Sequence, residues 1–175
     1  MCRVSFCMTI KLRAMEPGDI DAIYRWENDP TLWTYSAAHQ PFSRHALQQF
    51  IDESSMTDFY ASRQLRLIAE EEGGHEPLGC VDLFDFDPFH RRAALGLLVD
   101  SRCRNRGMGR AILSAIDDFA QQHLCLHQLH CIIATDNAPC LTLFRSFGYS
   151  EAGILKQWIF QEGEWHDAIF FQRML

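Results

Sequence analysis

Apolar residues alternate with polar ones, or recur at helical spacing, along almost the whole chain. Alternation and short apolar runs predict strands over residues 10–13, 65–70, 78–84, 91–99, 128–135, 153–160 and 165–172. Helical spacing predicts helices over residues 20–27, 43–53, 112–120 and 140–147. This order is typical of an α+β domain with a mixed, mostly antiparallel central sheet flanked by about four helices.

Capping and turn residues set several of the predicted boundaries. Asp19 is predicted to cap the first helix, and Pro30 is predicted to end it. Ser43 is predicted to cap the second helix. Residues 85–89 are interpreted as the turn before the strand that ends at Val99.

The stretch from Ala93 to Ala120 carries the strongest functional signal. Its apolar run ends at Val99, and a loop rich in glycine and arginine leads into an amphipathic helix. A helix N-terminus offers unpaired N–H groups, and glycine lets the backbone approach a ligand closely. The pattern therefore predicts an anion site, most plausibly for a phosphate; the alternative is a tight turn with solvated arginines.

Two common phosphate loops do not fit this stretch. A Walker loop needs a Lys followed by Ser or Thr, and no such pair follows these glycines. A dinucleotide loop needs a third glycine, but Ile112 stands at the matching position. What remains is the pattern Arg104-x-x-Gly107-x-Gly109.

Charge and composition narrow the class of partner. The 175 residues carry a formal net charge of −7 and are 47% hydrophobic, and the pI is near 5.5. An acidic protein of this size is expected to be one globular domain that does not bind nucleic acid. Its negative field favours a cationic small substrate.

Cysteine usage and chain ends bear on location. The seven cysteines are scattered and odd in number, which favours reduced thiols in a cytoplasmic protein.

The His and Cys residues between His123 and Cys131 match no zinc spacing, so no metal is predicted. No run is long enough to span a membrane. Met8 is an alternative start, so a single domain is predicted over 8–175, with 1–7 as an N-terminal extension.

The R-x-x-G-x-G loop resembles the pyrophosphate loop of the GNAT superfamily of N-acetyltransferases. Residues 137–149, NAPCLTLFRSFGY, resemble the second motif of that superfamily. From about Leu12 to Met174 the chain resembles the branch of bacterial spermidine N-acetyltransferases and ribosomal-protein N-terminal acetyltransferases. Residues 78–92 are most similar to the spermidine enzymes.

The resemblance implies acetyl-CoA as co-substrate and a set of residues that bind it. The backbone of Leu97, Leu98 and Val99 would bind the pantetheine arm and polarise the thioester carbonyl. Asn137 would bond the same arm. Arg145 either reaches a CoA phosphate or is a solvated helix cation. The remaining implied cofactor residues are Arg104, Asn105, Arg106, Gly107, Met108, Gly109, Arg110 and Phe144.

Several positions depart from the pattern of the spermidine enzymes. Phe144 replaces the tyrosine that acts there as general acid, and Ala94 replaces a glutamate on the strand before the loop. An acidic pair linked to polyamine binding falls at 38–39, which here is Ala-His. Asn105 replaces a usual glycine, and asparagine tolerates positive φ better than most residues.

Acyl transfer to nitrogen needs a neutral amine, so a base is required. Asp82 is the leading candidate for the general base, and His90 is an alternative. Asp85 is predicted to hold a cationic substrate. The aromatic Trp33 and Tyr35 either cover the acceptor side of the cleft or cap the core.

The favoured function is acetyl transfer from acetyl-CoA to a primary amine of a small, polyamine-like substrate, by direct attack in a ternary complex. One alternative acceptor is a peptide amine at a protein N-terminus. Another alternative is a non-catalytic acyl-CoA sensor, suggested by the missing tyrosine. The C-terminal hairpin, which carries Trp158, Phe160 and Phe170, is a candidate homodimer surface or part of the core.

Overall fold

A computed structural model of the protein describes residues 9–33, 35 and 40–175. Its centre is one seven-stranded sheet with the strand order β1-β2-β3-β4-β5-β7-β6. Neighbouring strands are antiparallel except for β4 and β5, which run parallel. The strands are β1 (Ile10–Ala14), β2 (Leu65–Glu71), β3 (Gly79–Asp87), β4 (Arg92–Val99), β5 (Gln128–Ala134), β6 (Ser150–Gln161) and β7 (Glu164–Met174).

Helices cover both faces of the sheet and bury two apolar clusters. On one face, Ile23, Trp26 and Ile51 pack with Ile68 of β2. On the other face, the two helices that follow β4 and β5 cover the larger cluster, whose centre includes Ile112. The helices are α1 (Ile20–Glu27), α2 (Pro30–Trp33), α3 (Arg44–Met56), α4 (Phe59–Ser62), α5 (Met108–Gln122) and α6 (Ala138–Phe147), with short 3-10 turns at Pro17–Asp19 and Ser101–Cys103.

The two parallel strands separate soon after they meet. β4 pairs with β5 at three positions, from Arg92 opposite Gln128 to Ala94 opposite His130. Beyond Ala94, β4 continues for five residues to Val99 without a further recorded pair on that side. A wedge-shaped opening therefore begins in the middle of the sheet.

The fold class is confirmed, and the local differences have clear physical causes. Pro30 begins α2 instead of only ending α1, because a proline at the first helical position loses no hydrogen bond. Asp19 does not cap α1 with its side chain. Its carboxylate instead accepts hydrogen bonds from the Glu16 N–H and from the Arg13 guanidinium. Ser43 does cap α3, since its Oγ accepts from the Ala46 N–H.

The predicted turn at 85–89 is partly wrong, because β3 continues through a β-bulge to Asp87. Asp85 has φ +50°, and the bulge shifts the side-chain alternation by one residue. Phe86 consequently reaches the core, where its ring stacks on Phe59 at 4.2 Å. Asp85 is left exposed on the surface of the strand.

Two sequence interpretations fall on residues outside this description. The 38–39 position of the missing acidic pair lies outside the described residues. So does the segment 1–8, which leaves the boundary of the domain at residue 8 a prediction.

Candidate active site

The opening between β4 and β5 is part of a cleft of about 1430 Å³. Its lining runs from α1, α2 and α3 across β2, β3 and β4 to the start of α5, β5 and α6. The cleft therefore has two halves. One is bounded by the loop after β4 and by α6, and the other lies on the face of the sheet that α1 and α3 cover.

Peptide groups of β4 point into the first half. The Arg91 carbonyl accepts from the His127 N–H at the start of β5, so odd-numbered positions of β4 face that strand. The Asp100 N–H donates to Leu78, so even-numbered positions face β3. Backbone groups of a strand alternate between its two edges. Leu97 and Val99 therefore present their backbone groups to the cleft, whereas those of Leu98 face β3. The expected contact between the Leu98 backbone and the pantetheine arm is therefore not supported, although Leu98 does line the cleft.

The loop after β4 is shaped by two left-handed residues. Asn105 has φ +61° and Gly107 has φ +79°, which fits the expectation that asparagine replaces glycine there at little cost. Gly107 is the N-cap residue of the 15-residue helix α5. The first N–H groups of α5, from Met108, Gly109 and Arg110, lack carbonyl partners within the helix. All five residues line the cleft. Met108 does so with little exposed surface, because most of its side chain is buried in the core.

Asp100 fixes the start of this loop. Its side chain is only 1% exposed, and it accepts hydrogen bonds from Arg25 Nη2 at 2.8 Å, Trp26 Nε1 at 2.9 Å and the Arg102 N–H at 2.9 Å. Burial opposes ionisation, but the bonds from Arg102, Arg25 and Trp26 outweigh it and hold the pKa of Asp100 far below its usual range. One carboxylate therefore joins α1 to the beginning of the loop after β4, the predicted anion loop of residues 100–107.

The arginines of this region are not equivalent. Arg104 lines the cleft and donates from Nε to the Val99 carbonyl at 3.1 Å. Arg110 lines it as well and donates to the Ser146 carbonyl at 3.1 Å. Arg106 is exposed and is not part of the lining. Arg145 also lies outside the lining and pairs with Glu151 at 2.6 Å, which favours the solvated-cation alternative for this residue.

Helix α6 forms the far wall of the first half. Asn137 caps it, because its Oδ1 accepts from the Cys140 N–H at 3.2 Å. Cys140 and Leu143 line the cleft together with Asn137, and burial raises the pKa of the Cys140 thiol to about 11. Phe144 is 2% exposed and packs edge to face on Tyr149 at 4.9 Å, so it lies in the core and not in the lining.

An ion-pair cluster occupies the second half. The Arg66 guanidinium donates to both oxygens of Asp82, at 2.6 and 3.1 Å, and also pairs with Glu27. Burial disfavours the cation, but the two carboxylates outweigh it and raise the pKa of Arg66. Asp82 lines the cleft as predicted. Because both of its oxygens already accept from Arg66, it is poorly placed to take a proton from a substrate.

The predicted acceptor residues are brought together around this cluster. Asp85, Trp33 and Tyr35 all line the cleft. Trp33 Nε1 donates to the Glu27 carbonyl at 2.7 Å, which fixes its ring at the end of α1. His90 is exposed, packs on Phe89 at 4.9 Å and does not reach the cleft, so the structure does not support it as the base.

Several cleft residues were not predicted from the sequence. Arg66, Glu27, Glu53 and Phe84 line the second half, and His130 lies where β4 and β5 separate. Each belongs to a helix or strand without a motif. Only the alternation of β2 and β3, which puts Arg66 and Asp82 at directly paired positions, could have indicated one of these contacts.

Within residues 9–33, 35 and 40–175, no group of three His, Cys, Asp or Glu side chains converges as a metal site would require. None of the described helices has the length and apolar character needed to cross a membrane.

The sequence matches the Acetyltransferase (GNAT) domain family over residues 9–150. The chain belongs to this family. It is accordingly an N-acetyltransferase that uses acetyl-CoA as co-substrate, and the sequence-based interpretations of family, enzyme class and co-substrate are confirmed.

Named relatives agree with this assignment. Spermidine N(1)-acetyltransferase of Escherichia coli K12 is 23% identical over 163 residues, which cover 92% of this chain and 83% of that protein. The L-amino acid N-acetyltransferase AaaT of the same organism is 26% identical over 117 residues, covering 61% of this chain and 72% of that protein. The crystal structure of spermidine N-acetyltransferase from Vibrio cholerae, in complex with CoA and spermine, superimposes with a TM-score of 0.84 at 21% identity, over 95% of each chain.

Proposed function

We propose that this GNAT enzyme transfers the acetyl group of acetyl-CoA to a primary amine of a small, polyamine-like cation. The observation that carries the proposal is the separation of charge along the cleft. Among the described lining residues, the second half carries the carboxylates of Glu27, Glu53, Asp82 and Asp85 and one guanidinium, that of Arg66. The opposite charge lines the other half, where Arg104 and Arg110 flank the loop.

This charge separation suits the two substrates of such a reaction. CoA carries phosphates, which helix N–H groups and arginines stabilise. A polyamine carries several ammonium groups, which an excess of carboxylates stabilises and attracts. The similarity to spermidine N(1)-acetyltransferases points the same way. Asp85 is the best single contact for a distal ammonium, because it is exposed on the bulge and forms no ion pair with any residue that the structure describes.

The chemistry needs few further groups. The Leu97 and Val99 backbone edge can hold the pantetheine arm as an added strand and place the thioester carbonyl against an N–H group. A thiol has a pKa near 8.5, so a thiolate is an adequate leaving group without an acid at position 144. The amine attacks the thioester carbon directly within a ternary complex.

The test is thiol release from acetyl-CoA with spermidine, with an uncharged-tail monoamine, with L-methionine and with a short peptide. We expect spermidine to give the highest kcat/KM. Asp85→Asn should raise KM for spermidine about two- to fivefold, as expected for one exposed charge contact, and leave KM for acetyl-CoA unchanged. Asp118→Asn, on the exposed face of α5, is the matched control. Turnover with peptides but not with spermidine would replace the proposal with N-terminal acetylation.

Two further properties are proposed with this function. The odd number of cysteines and the free thiols of Cys80, Cys103, Cys125, Cys131 and Cys140 support a cytoplasmic location. The exposed Trp158, Phe160 and Trp165 of the β6–β7 hairpin support self-association as a homodimer. A spermidine N-acetyltransferase from Vibrio cholerae has been described as a dodecamer. Sedimentation of the wild type and of Trp158→Glu tests the surface, and identical monomer profiles would contradict it.

A further inference from the structure

The proposed reaction needs a group that takes a proton from the attacking amine, and Asp82 is held by Arg66. We propose that His130 is this general base. The inference rests on the proposed amine acetylation and concerns a residue that carries no motif.

The first support is position. His130 on β5 is paired with Ala94 of β4, the last pair before the two strands separate. The side chains of paired positions lie on the same face of a sheet. His130 therefore lies on the face that carries Asp82, since Asp82 and Phe84 pair with Gly96 and Ala94 of β4. Ala94 and Gly96 themselves add little side-chain bulk on this face, where Asp82 and Phe84 are the side chains next to Gly96.

The second support is access from two sides. His130 lines the large cleft, and it also lines a separate pocket of about 460 Å³ at the open ends of β3, β4 and β7. Phe170 lies beside it in both cavities, with its ring centroid 5.4 Å from that of His130. A base placed between a reaction cleft and a solvent-filled pocket can accept a proton on one side and release it on the other.

The third support is the charge around the ring. Desolvation by burial lowers the pKa of His130, and the nearby Arg92 lowers it further, while Asp85 opposes both effects. The other groups around the pocket are the ion pair of Asp87 with Arg92, the side chains of Gln128 and Gln172, which bond each other at 3.0 Å, and Arg63. The lowered pKa favours the neutral imidazole, which is the form that a base must take.

The proton balance of the step is simple. The neutral imidazole takes one proton from the acceptor ammonium, and the neutral amine so formed attacks the thioester carbon. The C–S bond breaks when the tetrahedral oxyanion collapses, and the thiolate takes the second nitrogen proton. The imidazolium then releases its proton through the small pocket. The products are the amide, CoA thiol and one proton.

The first experiment compares His130→Gln with the wild type, using acetyl-CoA and spermidine. We expect kcat to fall by about 10²- to 10³-fold, the range of general-base catalysis, while KM for acetyl-CoA stays within twofold. We expect an acidic limb in the wild-type pH profile of kcat/KM, and we expect it to disappear in His130→Gln. His90→Gln is the matched control, because His90 is exposed outside the cleft and should leave kcat unchanged.

Chemical rescue separates catalysis from a loss of structure. Imidazole added to His130→Gly should restore kcat at least tenfold, because the ring fits the space that the substitution leaves open beside Ala94. A fall in kcat below threefold for His130→Gln, or an unchanged pH profile, would overturn the assignment.

A second readout does not depend on the acceptor. The NMR titration of His130 in the protein without substrate should give a pKa below 6.5. A value above 7 would overturn the proposal whatever amine is used. If the wild type acetylates another amine but not spermidine, the proposed substrate is wrong, and the same variants tested with that amine still decide the role of His130.

Discussion

Asp100→Asn is the most informative single substitution for the architecture of the site. Asparagine keeps Oδ1, which accepts from the Arg102 N–H and Nε, both at 2.9 Å. It replaces Oδ2 with an NH₂ group that would face three donors, from Arg25, Trp26 and Arg102. The substitution therefore turns three hydrogen bonds into donor–donor contacts without changing the shape of the side chain.

The loss in the free energy of unfolding depends on how well water can replace Asp100 as the hydrogen-bond partner of each donor. The side chains of Arg25 and Arg102 are 46% and 52% exposed, so solvent replaces most of what they lose. Trp26 is 4% exposed, and its indole N–H would be left without a partner. A buried unsatisfied donor costs about 1–3 kcal/mol. We expect a loss of about 2–3 kcal/mol in the free energy of unfolding, which for a protein of this size lowers Tm by about 4–12 °C.

Thermal unfolding of Asp100→Asn beside Asp118→Asn tests this value, because both remove one carboxylate charge but Asp118 is exposed on α5. The same melts repeated with CoA should show less stabilisation by the ligand in Asp100→Asn, since its anion loop has lost an anchor. A double-mutant cycle with Trp26→Phe then isolates the indole contribution. A Tm within 1 °C of the wild type would refute the reasoning.

Three further outcomes follow from the described contacts. The hydrogen bond from Arg13 holds the pKa of Glu70 below its usual range, and for Asp19 the bonds from Arg13 and the backbone outweigh burial to do the same. Such carboxylates stabilise the fold above their unfolded pKa of about 4 and lose that effect as the pH falls. The free energy of unfolding of the wild type, measured with urea, should therefore decrease below about pH 4. Arg13→Met should make this decrease with pH shallower, and equal pH slopes for the two proteins would contradict the reasoning. Asn105→Ala should cost about 1 kcal/mol because φ is +61°, whereas Asn105→Gly should not; equal melting temperatures would argue against strain. Gly107→Ala meets no atom within 4 Å, so its cost, also about 1 kcal/mol, should come from φ +79° alone and leave KM for acetyl-CoA within about threefold.

The sequence was most informative where a local signal was sufficient. The apolar run to Val99, the glycine and arginine loop and the amphipathic helix predicted the cofactor half of the cleft. Such a signal is encoded within neighbouring residues, because an anion site of the predicted kind depends on backbone N–H groups and on the φ angles that orient them. The capping residue Ser43 was equally readable from local sequence.

The acceptor half could not be predicted in the same way, because its residues meet through the register of the sheet. Arg66 lies 16 positions from Asp82 and 39 from Glu27 in the chain. The bulge that exposes Asp85 depends on Phe86 stacking with Phe59, a contact between separate elements. A similar reason explains His130, whose surroundings are set by where two parallel strands stop pairing.

The short pairing of β4 with β5 also bears on the order in which substrates bind. Four strands on one side of the sheet are joined to three on the other by only three paired positions. An acetyl-CoA arm bound along the Leu97 and Val99 edge would bridge β4 and β5 and hold the two walls of the acceptor half at a fixed spacing. The acceptor site would then be complete only after the co-substrate has bound. We therefore expect a sequential kinetic mechanism in which acetyl-CoA binds first and CoA leaves last.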